Sequence, residues 1–254
     1  MTQLEWFSLF ICAVAAVLHG LCGFGFPMMS TAALSIQYPM QTAVALVVLP
    51  CLALNLVMLR ADKTRSIKQS LAHYIQQYWP LILSSLIASF IGVQILLMLS
   101  EAFLKLSLAL ILSIYLADQF RSQPMNIQPT TLNMLIFGSL AGVIGGATNA
   151  MAPFLMMYLL SSKHQKIDII IISNLCFIVS KLIQMVLLFP HLGHFDTKQN
   201  QLLILLLIIA LAGVYIGERI RRYLSQEKFK RLILGILALL ALSSFWQALQ
   251  LINA

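Results

Sequence analysis

Ten apolar stretches follow one another along the chain, at residues 4–20, 27–37, 40–59, 76–99, 103–117, 132–145, 151–160, 167–189, 201–217 and 229–250, with short polar connections between them. Two of these, 27–37 and 151–160, hold only eleven and ten residues. At about 1.5 Å per residue such a helix covers roughly 16 Å, half of a ~30 Å hydrocarbon core. The pattern predicts an all-α membrane protein, a polytopic helical bundle in which two elements are half-helices. Each half-helix follows a glycine-rich break. The first reads His19 Gly20 Leu21 Cys22 Gly23 Phe24 Gly25 Phe26 Pro27, and the second Gly142 Val143 Ile144 Gly145 Gly146 followed by Pro153. Glycine and proline weaken a helix, and lipid offers no water to the backbone groups they free, so such breaks survive only against protein or a wet cavity. Paired broken segments point to a transporter's binding site.

The two halves align with each other. Pro27 precedes Pro153 by 126 positions, as Asn55 precedes Lys181, while Gly92 precedes Gly217 by 125, as Lys105 precedes Lys230. Gly20 and Gly23 precede Gly142 and Gly145 by 122, which implies about four extra residues before the second proline, in the stretch from Ala147 to Ala152. The chain reads as an internal duplication: residues 1–118 a first transmembrane repeat, 119–130 a cytoplasmic linker with Pro124 and Pro129, and 131–254 a second transmembrane repeat.

Basic residues set the orientation. Arg60, Lys63, Arg65 and Lys68 mark one cytoplasmic connection, and Arg219, Arg221, Arg222, Lys228, Lys230 and Arg231 another. If each glycine-broken pair makes an even contribution, as a dipping hairpin or as two crossings, these connections, Arg121 of the linker, and Lys163 with Lys166 all fall inside. Each half then crosses an odd number of times, which makes the repeats inverted in the membrane and puts both termini outside.

Composition supports this frame. Sixty per cent of residues are hydrophobic and nine per cent charged, too apolar for one soluble core. Trp6, Trp79 and Trp246 sit near the ends of apolar runs, where an interfacial belt places them. The net charge of +8 lies in short connections, which favours the positive-inside rule over nucleic acid. Cys12, Cys22, Cys51 and Cys176 lie in apolar runs and form no C-x-x-C pair, so neither a disulfide framework nor a metal knuckle is expected. No basic residue precedes Arg60, so the first helix reads as retained and not as a cleaved signal.

Lys181 is the residue that most constrains function. It lies deep in an aliphatic segment, where insertion costs about 2.5–3.5 kcal/mol, an amount its Ile and Leu neighbours can offset. Such a lysine faces the protein interior, where it either holds an anionic substrate, or sits in a water-filled vestibule, or pairs with a helix C-terminal carbonyl. Asn55, its counterpart in the first half, either lines the pathway or bonds across helices. Ser30 and Thr31 follow the first proline, and Thr148 and Asn149 lie in the second break; with the backbone at Gly23, Gly25, Gly145 and Gly146 they are candidate anion donors near half-helix starts, or ordinary caps. Ser173, Asn174, Ser180 and Gln184 share the segment of Lys181, and Asn174, Lys181 and Gln184 fall on about one face. His19, before the first break, is a candidate for proton coupling or a structural histidine. His191, His194 and Asp196 form too loose a group to predict a metal centre. No P-loop, H-E-x-x-H motif or membrane-depth carboxylate pair is present, so no cofactor and no catalytic residue are expected, and transport must draw on an ion or substrate gradient.

The combination of two half-chain repeats, each with a glycine-rich break, a proline, then a helix and a short or basic connection, resembles the TauE/SafE sulfite exporter family. The resemblance rests on Gly20, Gly23, Gly25, Pro27, Pro39, Ala43 and Asn55 in the first half and Gly142, Gly145, Gly146 and Pro153 in the second, and covers nearly the whole chain. It implies a permease that moves sulfite, sulfonates such as sulfoacetate, or related small anions across the bacterial inner membrane, often outward. Phe24 and Phe26 stand where the family tends toward glycine. The partners implied are a small anionic substrate and the lipid bilayer; chain length leaves a homo-oligomer open. The alternatives are an accessory membrane subunit that transports nothing, for which costly irregular backbone has no use, and an intramembrane enzyme. An epitope inserted between Arg219 and Arg231 should be reachable only from the cytoplasmic side in a protease-protection assay; access from outside refutes the topology.

Overall fold

The structure, a computed structural model, describes residues 3–61, 66–119, 127–161, 164, 166–220 and 226–253. Lys63, Arg65, Arg121, Lys163, Arg221 and Arg222, and most of the expected linker, lie outside the described residues, as do the side chains of Lys228, Lys230 and Arg231. Among the described residues there are eleven helices and no strand: α1 Gln3–Cys22, α2 Phe26–Leu34, α3 Met40–Met58, α4 Ile67–Met98, α5 Glu101–Gln119, α6 Thr131–Thr148, α7 Ala152–Ser161, α8 Lys166–Leu187, α9 Phe189–Gly193, α10 Thr197–Ile220 and α11 Gln226–Ile252. Six of them, α1, α3, α4, α6, α8 and α10, are long and apolar enough to cross a membrane. Large apolar side chains such as Phe10, Ile87, Val186 and Ile204 face outward, and Trp6, Trp79 and Trp246 are exposed with them. Helices suit this setting because they satisfy their backbone groups internally.

Two elements differ from the hydropathy pattern. Helix α4 starts nine residues before its apolar run, on a capping box in which Ser66 Oγ accepts from the Gln69 N–H at 3.4 Å and Gln69 Oε1 from the Ser66 N–H at 3.2 Å. A polar first turn is helical because its ends are capped, which hydropathy does not read. The short helix α9 fills the connection around Pro190, with the proline in its first turn.

Each half-helix folds back on the helix before it. Ser8 Oγ donates to Ala33 O at 3.0 Å, Gln37 Nε2 donates to Ser8 Oγ at 2.8 Å, and the Tyr38 hydroxyl donates to Glu5 Oε1 at 3.0 Å, so α2 ends beside the start of α1. Burial and the Glu5 carboxylate push the Tyr38 phenol up to about 12, which keeps it a donor. In the second half the rings of Phe137 and Tyr158 stack at 5.9 Å, laying α7 along α6. The far end of α7 is tied to α4: Tyr78 and His164 are 2.6 Å apart, and the Tyr74 hydroxyl donates to Asp168 Oδ1 at 2.6 Å. His164 Nδ1 faces the carbonyl of Leu159 at 3.3 Å, so it carries the hydrogen there and Tyr78 donates to the bare Nε2.

The tightest crossings are made by glycine. Helix α1 packs on α10 and α6 on α4, each the first helix of one half against the long helix of the other. A Cβ on Gly20 would lie 2.4 Å from Val214 O, and Gly217 meets the Cα of Gly20; a Cβ on Gly146 would lie 2.5 Å from Ser89 O, and Gly92 meets the Cα of Gly146. Small residues let the backbones touch where no hydrophobic effect drives them together. These crossings pair Gly20 with Gly146, not with Gly142, and Ala16 with Gly142, since Gly213 meets Ala16 as Gly142 meets Ala88. The offset of 126 residues seen at Pro27 and Pro153 therefore holds through the breaks. The four extra residues expected before Pro153 are not there: matching glycine to glycine misaligned the helix ends.

A methyl group at Gly20 or Gly146 must push backbone aside, whereas at Gly235 it meets nothing within 4 Å. Gly20→Ala and Gly146→Ala should each lower stability by about 1–3 kcal/mol, read as thermal unfolding in detergent, and Gly235→Ala should leave it unchanged.

Candidate functional site

The two breaks are built from residues that reverse the chain. In the first, the Gly23 N–H donates to His19 O at 2.7 Å and Gly23 takes a φ of 87°; Gly25, at 113°, leads into α2 with Pro27 in its first turn. Both φ values lie where an L side chain is strained. In the second, Asn149 ends α6 at a φ of 62°, its N–H donating to Gly145 O at 3.0 Å. Asn149 stands 126 positions after Gly23 and takes the same left-handed cap. Asparagine tolerates that conformation and brings a side chain that glycine lacks.

That side chain centres a buried network. Asn149 Oδ1 accepts from the Lys181 ammonium and from Gln184 Nε2 at 2.9 Å, and Asn149 Nδ2 donates to Thr31 Oγ1 at 2.7 Å. Gln184 Oε1 accepts from Lys181 Nζ at 2.6 Å, while Gln184 Nε2 also faces Gly145 O at 3.1 Å and Gly146 O at 3.0 Å. The carbonyls that α6 leaves open at its C-terminal end thus meet an amide. Lys181 is 3% exposed, and Asn149, Gln184 and Thr31 are equally enclosed.

Among the described residues the ammonium has no counter-ion. Among the described residues the ion pair is Lys105 with Glu101, at 2.8 Å, and no carboxylate lies within that reach of Lys181. Amide oxygens and the negative end of the α6 dipole, roughly half a charge, offset its positive charge in part. Two of its three N–H groups are taken, and the third has no partner among the described residues. Lys181 does not itself meet a helix C-terminal carbonyl; its partner Gln184 meets those at the end of α6 in its place.

Two turns earlier on the same face, Asn174 serves the first break. Its Nδ2 donates to Gly23 O at 2.9 Å and to Ile170 O at 2.7 Å, which fixes the amide orientation and leaves Oδ1 to accept from His19 Nε2 at 3.3 Å. His19 therefore carries its hydrogen on Nε2, and its buried Nδ1 has no partner among the described residues.

Lys181, Asn149, Thr31, Gly145 and Gly146 come together at the second break, and Asn174, His19 and Gly23 at the first. Four expected residues do not join either network. Thr148 turns its hydroxyl back on Ile144 O at 2.9 Å. Ser30 lies against the Cys12 thiol. Gly25 borders open space, beside an apolar recess walled by Leu18, Phe24, Met29 and Tyr115. Asn55 is fully buried with neither side-chain atom paired among the described residues, one helical turn beyond the buried Cys51. Gln184 has a larger place than its sequence suggested. Its only signal was a position three residues after the lysine.

Removing Gln184 strands two carbonyls and one ammonium donor. Gln184→Leu should cost about 3–5 kcal/mol, whereas Asn149→Gly, which keeps the left-handed cap and loses only side-chain bonds, should cost about 1–3 kcal/mol; unfolding in detergent orders the two, and the reverse order refutes the network.

A family model described as Sulfite exporter TauE/SafE matches residues 8–244. No curated protein and no solved structure matches the chain.

Proposed function

The chain belongs to the TauE/SafE sulfite exporter family, and we propose that it is a permease for sulfite, sulfonates or related small anions that binds them at Lys181 between the two broken helices. The observation that carries this reading is a buried ammonium with neutral partners and no carboxylate within reach among the described residues. A charge in that position is costly unless a ligand completes it. Asn149 and Gln184 aim the ammonium, and Thr31 holds Asn149 from the first half-helix. The Asn55 amide, unpaired among the described residues, is a further polar contact along the path. The half-helix starts at α2 and α7 add positive dipole ends.

The reciprocal packing of α1 on α10 and α6 on α4 supports two inverted repeats that rock against each other, each half-helix being held by the other half. Export fits the energetics. An inside-negative potential drives an anion outward by about 2.3 kcal/mol per charge per 100 mV, and no nucleotide motif is needed. His19, with its bare Nδ1 beside the first break, is the group placed to take a proton if protons are coupled. We assign the protein to the inner membrane with both termini outside, following the basic connections.

Transport of radiolabelled sulfite into inverted vesicles should fall about a hundredfold or more in Lys181→Met, with protein level intact. Gln184→Glu should do the same by supplying the missing carboxylate. Unchanged flux in both variants removes Lys181 from the site; comparison with right-side-out vesicles sets direction.

A further inference from the structure

The charge around Lys181 can be counted, and the count limits what the site accepts. Among the described side chains, the lysines and arginines other than Lys181 and Lys105 fall in connections or in the outer turns of helices, and Lys105 is neutralised by Glu101 at 2.8 Å and hydrogen-bonded to Gln247 at 2.7 Å. The described acidic side chains likewise sit in connections or near helix ends. Among the described residues, Lys181 is thus the single uncompensated charged side chain at the breaks.

The neighbouring titratable groups do not alter that number. Cys51 of α3 is a fully buried free thiol in an apolar setting and adds no charge. His19 of α1 is about two turns away along α8, joined to Asn174 through Nε2; a second hydrogen on Nδ1 would be buried without an acceptor, so the ring fits its network as the neutral form. Helix α6 contributes only amide, hydroxyl and carbonyl groups here, and α2 contributes Thr31.

From this balance we infer that the protein is selective by charge: it carries monoanions and rejects dianions. The inference rests on the permease reading and narrows its substrate class. A monoanion brings the enclosed site to neutrality, with one of its oxygens on the third ammonium N–H. A dianion leaves one negative charge buried among amides that already have partners. Sulfite is then carried as hydrogensulfite, simple sulfonates are carried at any pH, and sulfate and sulfoacetate, each with two charges, are excluded.

Counterflow into proteoliposomes holding the full chain tests this with no variant. Labelled sulfite and labelled methanesulfonate are followed from pH 6 to 9, with sulfate and methanesulfonate as competitors. Charge selectivity requires three results: methanesulfonate competes; sulfate does so at least about a hundredfold less well; and the apparent KM for total sulfite rises with pH as hydrogensulfite is lost while that for methanesulfonate stays level. Methanesulfonate keeps its charge across this range, so it separates titration of the substrate from titration of the protein. Sulfate competing as well as methanesulfonate, or a sulfite KM that ignores pH, overturns the charge rule and leaves the permease standing. Absence of flux with either labelled anion overturns the permease reading and this inference together.

Discussion

Where a helix stops inside an apolar bundle, its last carbonyls and first amides have no water to turn to, and the rest of this structure follows from how two such buried ends are satisfied. Both ends meet side chains of α8. Asn174 reaches the carbonyl of Gly23 at the first break, and two to three turns on Gln184 reaches those of Gly145 and Gly146 at the second. One helix face thus stitches both interruptions, and that face carries Lys181. The lysine is held by the groups that repair the broken backbone.

The resulting electrostatics are asymmetric. The second break has an asparagine cap, a glutamine and an ammonium; the first has a glycine cap and a histidine, with Asn55, which has no side-chain partner among the described residues, standing 126 positions before the lysine. The two breaks are similar frames 126 residues apart, and the second of them carries the charge. Amide dipoles and a helix end offset much of the charge of this ammonium, which has no carboxylate partner among the described residues.

Packing keeps these atoms in register. Gly20 against Gly217 and Gly92 against Gly146 bring α1 to α10 and α6 to α4 at backbone contact. These contacts lie within three residues of the two left-handed caps, so a shift at a crossing moves a cap. Tyr38 on Glu5 and His164 on Tyr78 tie down the connections that follow α2 and α7, and Tyr38 and His164 too stand 126 residues apart.

The helical membrane character, the two short helices and the buried lysine were legible in the sequence because lipid imposes a length and a composition that each segment must meet by itself. The family followed from the same glycines and prolines. Other features were set by contacts between distant segments. The cap at Asn149 was hidden because asparagine and glycine look unlike in a sequence yet share one region of backbone space; matching Gly20 to Gly142 missed it, and the crossing with Gly92 corrected it. The role of Gln184, the orientation of Asn174 and the tautomer of His19 depend on which carbonyl lies within 3 Å, a distance that spacing along one helix does not contain. Sequence by itself determined which atoms must be satisfied, and tertiary structure decided which partners satisfy them, because hydropathy acts on each helix alone whereas a hydrogen bond needs two groups from different helices at one point.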